Sequence, residues 1–126
     1  MPENAVMLDS SCWIEYFLGS EPSTEYAHHV IRARVVVPSL CIFEVTRSLL
    51  KRFEPEHVLR AISVMEQHHV IPLTEGVATN AAQLAVNLNL SSADAIIYAT
   101  ALQKKAVLYT HDPDLEGLDG VVFHKL

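Results

Sequence analysis

The chain has 126 residues, half of them hydrophobic, and a formal net charge of -6. That length makes one domain, residues 1–126, able to bury roughly two-thirds of its unfolded surface without disulfides. The acidic balance argues against a general nucleic-acid coat, whose affinity comes from lysine and arginine displacing counterions, but leaves open phosphate chemistry through a bound cation.

No apolar run approaches the roughly 20 residues of a bilayer span, and the N-terminus lacks a basic region followed by a long apolar stretch. A cytoplasmic protein with no membrane partner is expected. Cys12 and Cys41 each sit in an apolar stretch near a predicted helix start; two thiols make neither a zinc site nor a secreted disulfide framework, so they read as core residues in a reducing compartment.

Ala5 to Leu8 is an apolar run too short for a helix, and Asp9-Ser10-Ser11 leads into a helix from Cys12 to Leu18 that Gly19 closes. Residues 19–23 read as a loop, Thr24 to Ile31 as a short helix, and Arg34 to Val37 as a β-branched strand stopped by Pro38. Ser39 is positioned to cap a helix running to about Phe53. Its expected apolar face is Leu40, Phe43, Leu49, Leu50 and Phe53, with Arg47, Lys51 and Arg52 solvated. Glu54-Pro55 opens a helix on which Val58, Leu59, Ile62 and Met65 keep helical spacing to about Gln67, and Val70 to Leu73 is a short strand or edge segment. Thr74 opens the next helix and Ser91-Ser92 the last, which runs to about Lys105; Val107 to Tyr109 and Val121 to Phe123 are the closing strands. Alternating strands and helices predict an α/β fold, a three-layer α/β/α sandwich around a parallel sheet, because parallel neighbours need helical crossovers. Ligands of such sheets bind outside the carboxyl ends of the strands, where strand order reverses.

Four acids stand where apolar segments begin or end: Asp9, Glu44, Asp94 and Asp112. Each has a structural explanation. Ser91-Ser92-Ala93-Asp94 fits a capping box, Asp9 fits a helix cap, Asp112 before Pro113 fits a turn, and Glu44 fits a pair with Arg47 or Ser48. Jointly they are harder to explain that way, since two carboxylates about 4 Å apart repel by roughly 4 kcal/mol at an effective dielectric of 20. A hard divalent cation such as Mg²⁺ or Mn²⁺ supplies the missing reason to gather acids.

The order and spacing of these segments resembles the PIN domain family, and within it the VapC-like ribonuclease toxins of bacterial and archaeal toxin–antitoxin pairs. The resemblance spans essentially the whole chain. It rests on Leu8-Asp9-Ser10-Ser11 followed by Trp13-Ile14, on Glu44 in the Pro38 to Val45 segment, on Ala93-Asp94-Ala95-Ile96-Ile97-Tyr98-Ala99-Thr100-Ala101, and on Leu108 to Leu115 with Thr110, Asp112 and Asp114. The chain departs from the family pattern at Leu115, where an aromatic is common. The resemblance implies that Asp9, Glu44, Asp94 and Asp112 are the catalytic, metal-binding quartet for Mg²⁺ or Mn²⁺. Asp114 is a candidate additional ligand, and Ser11 and Thr110 are supporting hydroxyls. It implies an endoribonuclease that hydrolyses RNA through metal-activated water, leaving 5′-phosphate and 3′-hydroxyl ends, and that works as a homodimer with a cognate antitoxin protein plugging its acidic site.

The adjacent pairs His28-His29 and His68-His69 are poorly placed to share one metal, and His111 reads as an exposed turn residue beside Asp112. Trp13 and Tyr16 suit either a core or a protein interface. Two alternatives differ in class: a PIN-like scaffold that binds RNA or protein without cutting, and a phosphoacceptor signalling module. The latter usually pairs two acids after its first strand, where this chain has Asp9-Ser10-Ser11.

Overall fold

The computed structural model describes residues 5–126; positions 1–4, to which the N-terminal reading extends, lie outside the described residues. Strand β1 (Val6–Leu8) leads into α1 (Ser10–Leu18), a 3-10 turn (Glu21–Glu25) and α2 (Ala27–Arg32), and then into β2 (Val35–Pro38). Helices α3 (Ser39–Leu50) and α4 (Pro55–Glu66) precede β3 (His69–Ile71). Helices α5 (Glu75–Leu88) and α6 (Ser92–Lys104) precede β4 (Val107–Thr110), and a second 3-10 turn (Pro113–Leu115) precedes β5 (Val121–Phe123).

The five strands form one parallel sheet in the order β3-β2-β1-β4-β5. Every residue of β1 and β2 is buried, as a parallel sheet covered on both faces requires. The result is the α/β/α sandwich expected from the alternation of elements. The chain first builds outward on one side of β1 through β2 and β3, and then crosses to the other side for β4 and β5. Strand order therefore reverses between β1 and β4, which pair from Val6↔Val107 to Leu8↔Tyr109. Asp9 follows one of these strands and Asp112 the other, so the reversal brings both to the same carboxyl edge.

The main core collects β1, β2, Trp13, Tyr26, Val45, Leu49 and Met65, with Cys12 and Cys41 fully buried among them. A smaller core of Val77, Ala81, Ala95 and Ala99 joins α5 to α6, where small side chains let the two helices approach closely.

Several boundaries differ from expectation for identifiable reasons. The helix expected over Thr24 to Ile31 is divided: the 3-10 turn closes at Glu25, and Tyr26, with φ of -130°, separates it from α2. Tyr26 is fully buried, and that tertiary anchor overrides the local helical pattern. Pro38, not Ser39, occupies the cap position of α3, because β2 stays paired through Pro38↔Ile71 and enters the helix without a spacer. The buried face of α3 is Cys41, Val45 and Leu49; of the expected face only Leu49 is buried, while Phe43, Leu50 and Phe53 are exposed. The stripe of Cys41, Val45 and Leu49, with smaller side chains than the expected face, packs inward. Leu59 is likewise exposed while Val58, Ile62 and Met65 are buried on α4.

Helix α6 ends on Lys105 in the left-handed region, with φ of 52°, while Gly19 takes the same role after α1 with φ of 69°. A side chain with a Cβ is disfavoured there, and Lys105→Gly is expected to stabilise the protein by about 0.5–1 kcal/mol, read as a raised denaturant midpoint at unchanged slope.

Candidate functional site

Asp9 caps α1: its Oδ1 accepts the Cys12 N–H at 3.1 Å and the Ser11 hydroxyl at 2.6 Å. Its Oδ2 accepts the Thr110 hydroxyl from the end of β4. The Thr110 oxygen in turn accepts the Asp112 N–H at 2.9 Å. One buried hydroxyl therefore ties the carboxylate after β1 to the backbone after β4, across 101 residues of sequence. The ladder continues past Leu8, with Asp9 N–H donating to the Tyr109 carbonyl at 3.1 Å.

Asp112 caps the second 3-10 turn, accepting the Asp114 N–H on Oδ1 at 2.9 Å. That turn folds Asp114 back toward Asp112. Asp94 lies in the first turn of α6, where the Ser91 hydroxyl accepts its N–H at 3.3 Å. Ser91 thus caps the helix. Carboxylate oxygens of Asp94, Asp112 and Asp114 lie within 4.8 Å of one another, and no other such group of three potential metal ligands occurs among the described residues.

The structure does not bring all the sequence-derived acids into that group. Asp9 stands beside it, its oxygens engaged by Ser11, Cys12 and Thr110. Glu44 stands further round, its Oε1 accepting the Ser10 hydroxyl at 2.6 Å. Ser10 adjoins Asp9, so Glu44 joins the site through the start of α1. Arg47 turns away from Glu44 and lies over the Phe43 ring, 5.2 Å from its centroid.

The Asp94 carboxyl is pushed up to about 7 by burial first, then by hydrogen bonding and repulsion from Asp112, with Asp9 adding to it and the Ser91 hydroxyl opposing. Burial, reinforced by Asp9, also holds the Cys12 and Cys41 thiols well above their ordinary range, so both stay protonated and unreactive. The raised Asp94 value means that folding favours its protonated form. That contribution is complete below the ordinary carboxyl value of 3.8 and is lost as pH rises through about 7. Because the carboxyl is half exposed, solvent screening reduces the effect to about 1–2 kcal/mol. In EDTA, Asp94→Asn is therefore expected to raise the melting temperature by about 5 °C at pH 8 and to change it little at pH 4.

Ser10 and the surroundings of His111 were not legible in the sequence. His111 is buried, contrary to the expected exposed turn: its Nδ1 donates to the His124 carbonyl at 2.6 Å, which leaves Nε2 to accept the Tyr26 hydroxyl at 2.7 Å. It clamps the loop bearing Asp112 to the segment after β5 and to Tyr26. Among the described residues no helix is long and apolar enough to cross a membrane.

A family model described as "PIN domain" matches residues 6–121. The chain belongs to the PIN domain family. Solved structures agree with this PIN domain's fold at low sequence identity. A toxin–antitoxin complex from Klebsiella pneumoniae is 22% identical with a TM-score of 0.81, covering 96% of this chain and 99% of its own. VapBC2 from Rickettsia felis, bound to a DNA fragment from its promoter, is 12% identical with a TM-score of 0.74, covering 96% and 98%. FitAcB from Neisseria gonorrhoeae is 21% identical with a TM-score of 0.70, covering 94% and 96%. No curated protein matches this PIN domain in sequence.

Proposed function

We propose that this PIN domain is a Mg²⁺- or Mn²⁺-dependent endoribonuclease and the toxin of a toxin–antitoxin pair. The observation that carries the reading is the convergence of Asp94, Asp112 and Asp114 at the edge where strand order reverses, beside Asp9. PIN domains are generally nucleases, and the structural relatives named above include toxin–antitoxin complexes.

The donor set fits a hard divalent cation. All the converging ligand atoms are carboxylate oxygens, and among the described residues no cation is among the groups that shift Asp94. Asp94, Asp112 and Asp114 would hold the ion, with Asp9 and Glu44 adding negative charge around it. Such an ion would supply a Lewis acid that acidifies water and offsets negative charge on the phosphate oxygens. The protein's own part is orientation. Thr110 and Ser11 fix the Asp9 carboxylate, the Thr110 oxygen fixes the Asp112 backbone, and Ser10 fixes Glu44. This chemistry does not require the ribose 2′-hydroxyl, so preference for RNA comes from contacts along the substrate groove.

A homodimer and a cognate antitoxin complete the reading. A partner that inserts a cationic side chain among these carboxylates would meet the charge that Asp94 registers. Between α1, α3 and α4, an apolar groove of about 530 Å³ lined by Phe17, Leu49, Phe53 and Val58 provides room for its apolar residues. The phosphoacceptor alternative is disfavoured because both oxygens of Asp9 are engaged by hydroxyl and backbone donors and Lys125 is exposed.

The test is incubation of a cellular RNA pool with the purified chain in Mg²⁺ or Mn²⁺ and in EDTA. Cleavage with 5′-phosphate ends that stops in EDTA supports the reading. A folded protein that cuts nothing with any divalent cation favours the non-catalytic scaffold, and a chain harmless when expressed alone counts against the toxin role.

A further inference from the structure

We propose that Phe43 and Arg47 form a stacking platform for a nucleobase of single-stranded RNA next to the acidic group, an inference that rests on the nuclease reading above. Helix α3 begins directly after β2, so its first turns stand at the carboxyl edge of the sheet with the site. Residues three and four apart share a helix face, which places Phe43, Arg47 and Lys51 on one stripe with Glu44 beside it. Glu44 reaches Ser10, next to Asp9, so the start of this stripe lies on the Glu44 side of the acidic site.

Phe43 is 58% exposed, and the Arg47 guanidinium covers part of its ring from 5.2 Å. A planar cation held on an aromatic ring presents two things that a single strand uses: a flat surface on which a base stacks and a positive charge for a phosphate. Lys51, exposed one turn further along α3 and away from the carboxyl edge, extends that charge down the helix. The surrounding chemistry selects RNA over a protein occupant. The cations of an antitoxin are drawn to Asp94, Asp112 and Asp114, whereas Arg47 on the rim offers its charge to a phosphate, which the acids alone would repel. In a chain of net charge -6, positive groups beside the site are the ones able to retain substrate. Stacking tolerates any base, so the platform contributes affinity and register more than sequence choice.

The test measures binding of a labelled, short single-stranded RNA pool by fluorescence anisotropy, with Ca²⁺ in place of Mg²⁺ to slow cleavage, beside cleavage assays in Mg²⁺. Phe43→Ala is expected to bind about tenfold more weakly, and Phe43→Trp at least as tightly as the unmodified chain. Arg47→Ala is expected to weaken binding and to lower the salt slope by about one. Mn²⁺ is expected to raise the melting temperature of the folded protein, and by the same amount in all three variants, since neither residue belongs to the acidic group. If the unmodified protein cuts RNA and Phe43→Ala binds and cuts equally well, the platform is wrong and the nuclease reading stands. A changed sedimentation coefficient in Phe43→Ala with unaltered RNA binding also overturns it, making the face a protein contact. An unmodified protein that neither binds nor cuts RNA removes the nuclease reading and the platform with it.

Discussion

Asp112→Asn is expected to reduce RNA cleavage by about 1000-fold while the protein remains fully folded in EDTA. A cation polarising the reacting phosphate and its attacking water contributes several kcal/mol, and 4 kcal/mol corresponds to about that factor. Asparagine keeps an Oδ1, so the bond from the Asp114 N–H that closes the 3-10 turn survives, as does the bond from the Asp112 N–H to Thr110. What is lost is one negative charge among three. A structural Asp112 behaves differently: as a turn cap alone it would tolerate asparagine with no change in activity. Single-turnover cleavage and melting in EDTA, measured on the same preparation, separate these cases.

Thr110→Val is expected to lower stability by about 3 kcal/mol, a fall of roughly 10 °C in melting temperature, and to weaken Mn²⁺ binding by about tenfold or more. Valine fills the same space, so packing is kept. The hydroxyl, however, serves two groups in a site with no solvent exposure: it donates to the Asp9 carboxylate and accepts the Asp112 N–H. Removing it leaves a buried charge short of a donor and a backbone N–H short of an acceptor. Thr110→Ser restores the hydroxyl and should recover the Mn²⁺ affinity, at a cost of about 1 kcal/mol for the lost methyl. Loss of stability in the valine variant with unaltered Mn²⁺ binding would make Thr110 a core residue only.

The strands and their acids were legible because they depend on local pattern. The apolar runs before Asp9 and Asp112 are short and bounded, and a parallel sheet then obliges residues at strand ends to share an edge. Thr74 and Ser91 were readable as caps for the same local reason, and both accept backbone N–H groups as helix caps do. The inward face of α3 was not readable. Leu40, Phe43 and Leu50 are as apolar as Cys41, Val45 and Leu49, and only the closeness of α1 decides which stripe fits. Tyr26 and His111 illustrate the other limit. Their bond joins residues 85 apart, and nothing near either one in sequence announces the partner. The same holds for the acids. The sequence marks Asp9, Glu44, Asp94 and Asp112 as candidates, but their separation into a converging group that includes Asp114, an adjoining Asp9 and a Glu44 held through Ser10 follows from the fold.

This arrangement divides the labour at the site. The acids on the turn after β4 and on the first turn of α6 face one another, while Asp9 and Thr110 lock the two central strands together beneath them. Burial of Asp94 beside Asp112 disfavours its charged form in the metal-free protein, and binding a divalent cation there would relieve that.

The most direct measurement is anomalous diffraction from crystals of the protein soaked in Mn²⁺. A Mn²⁺ peak within bonding distance of the Asp94, Asp112 and Asp114 carboxylates, lost in Asp94→Asn, is the predicted result; no peak there at saturating Mn²⁺, or a peak held by other residues, contradicts the account.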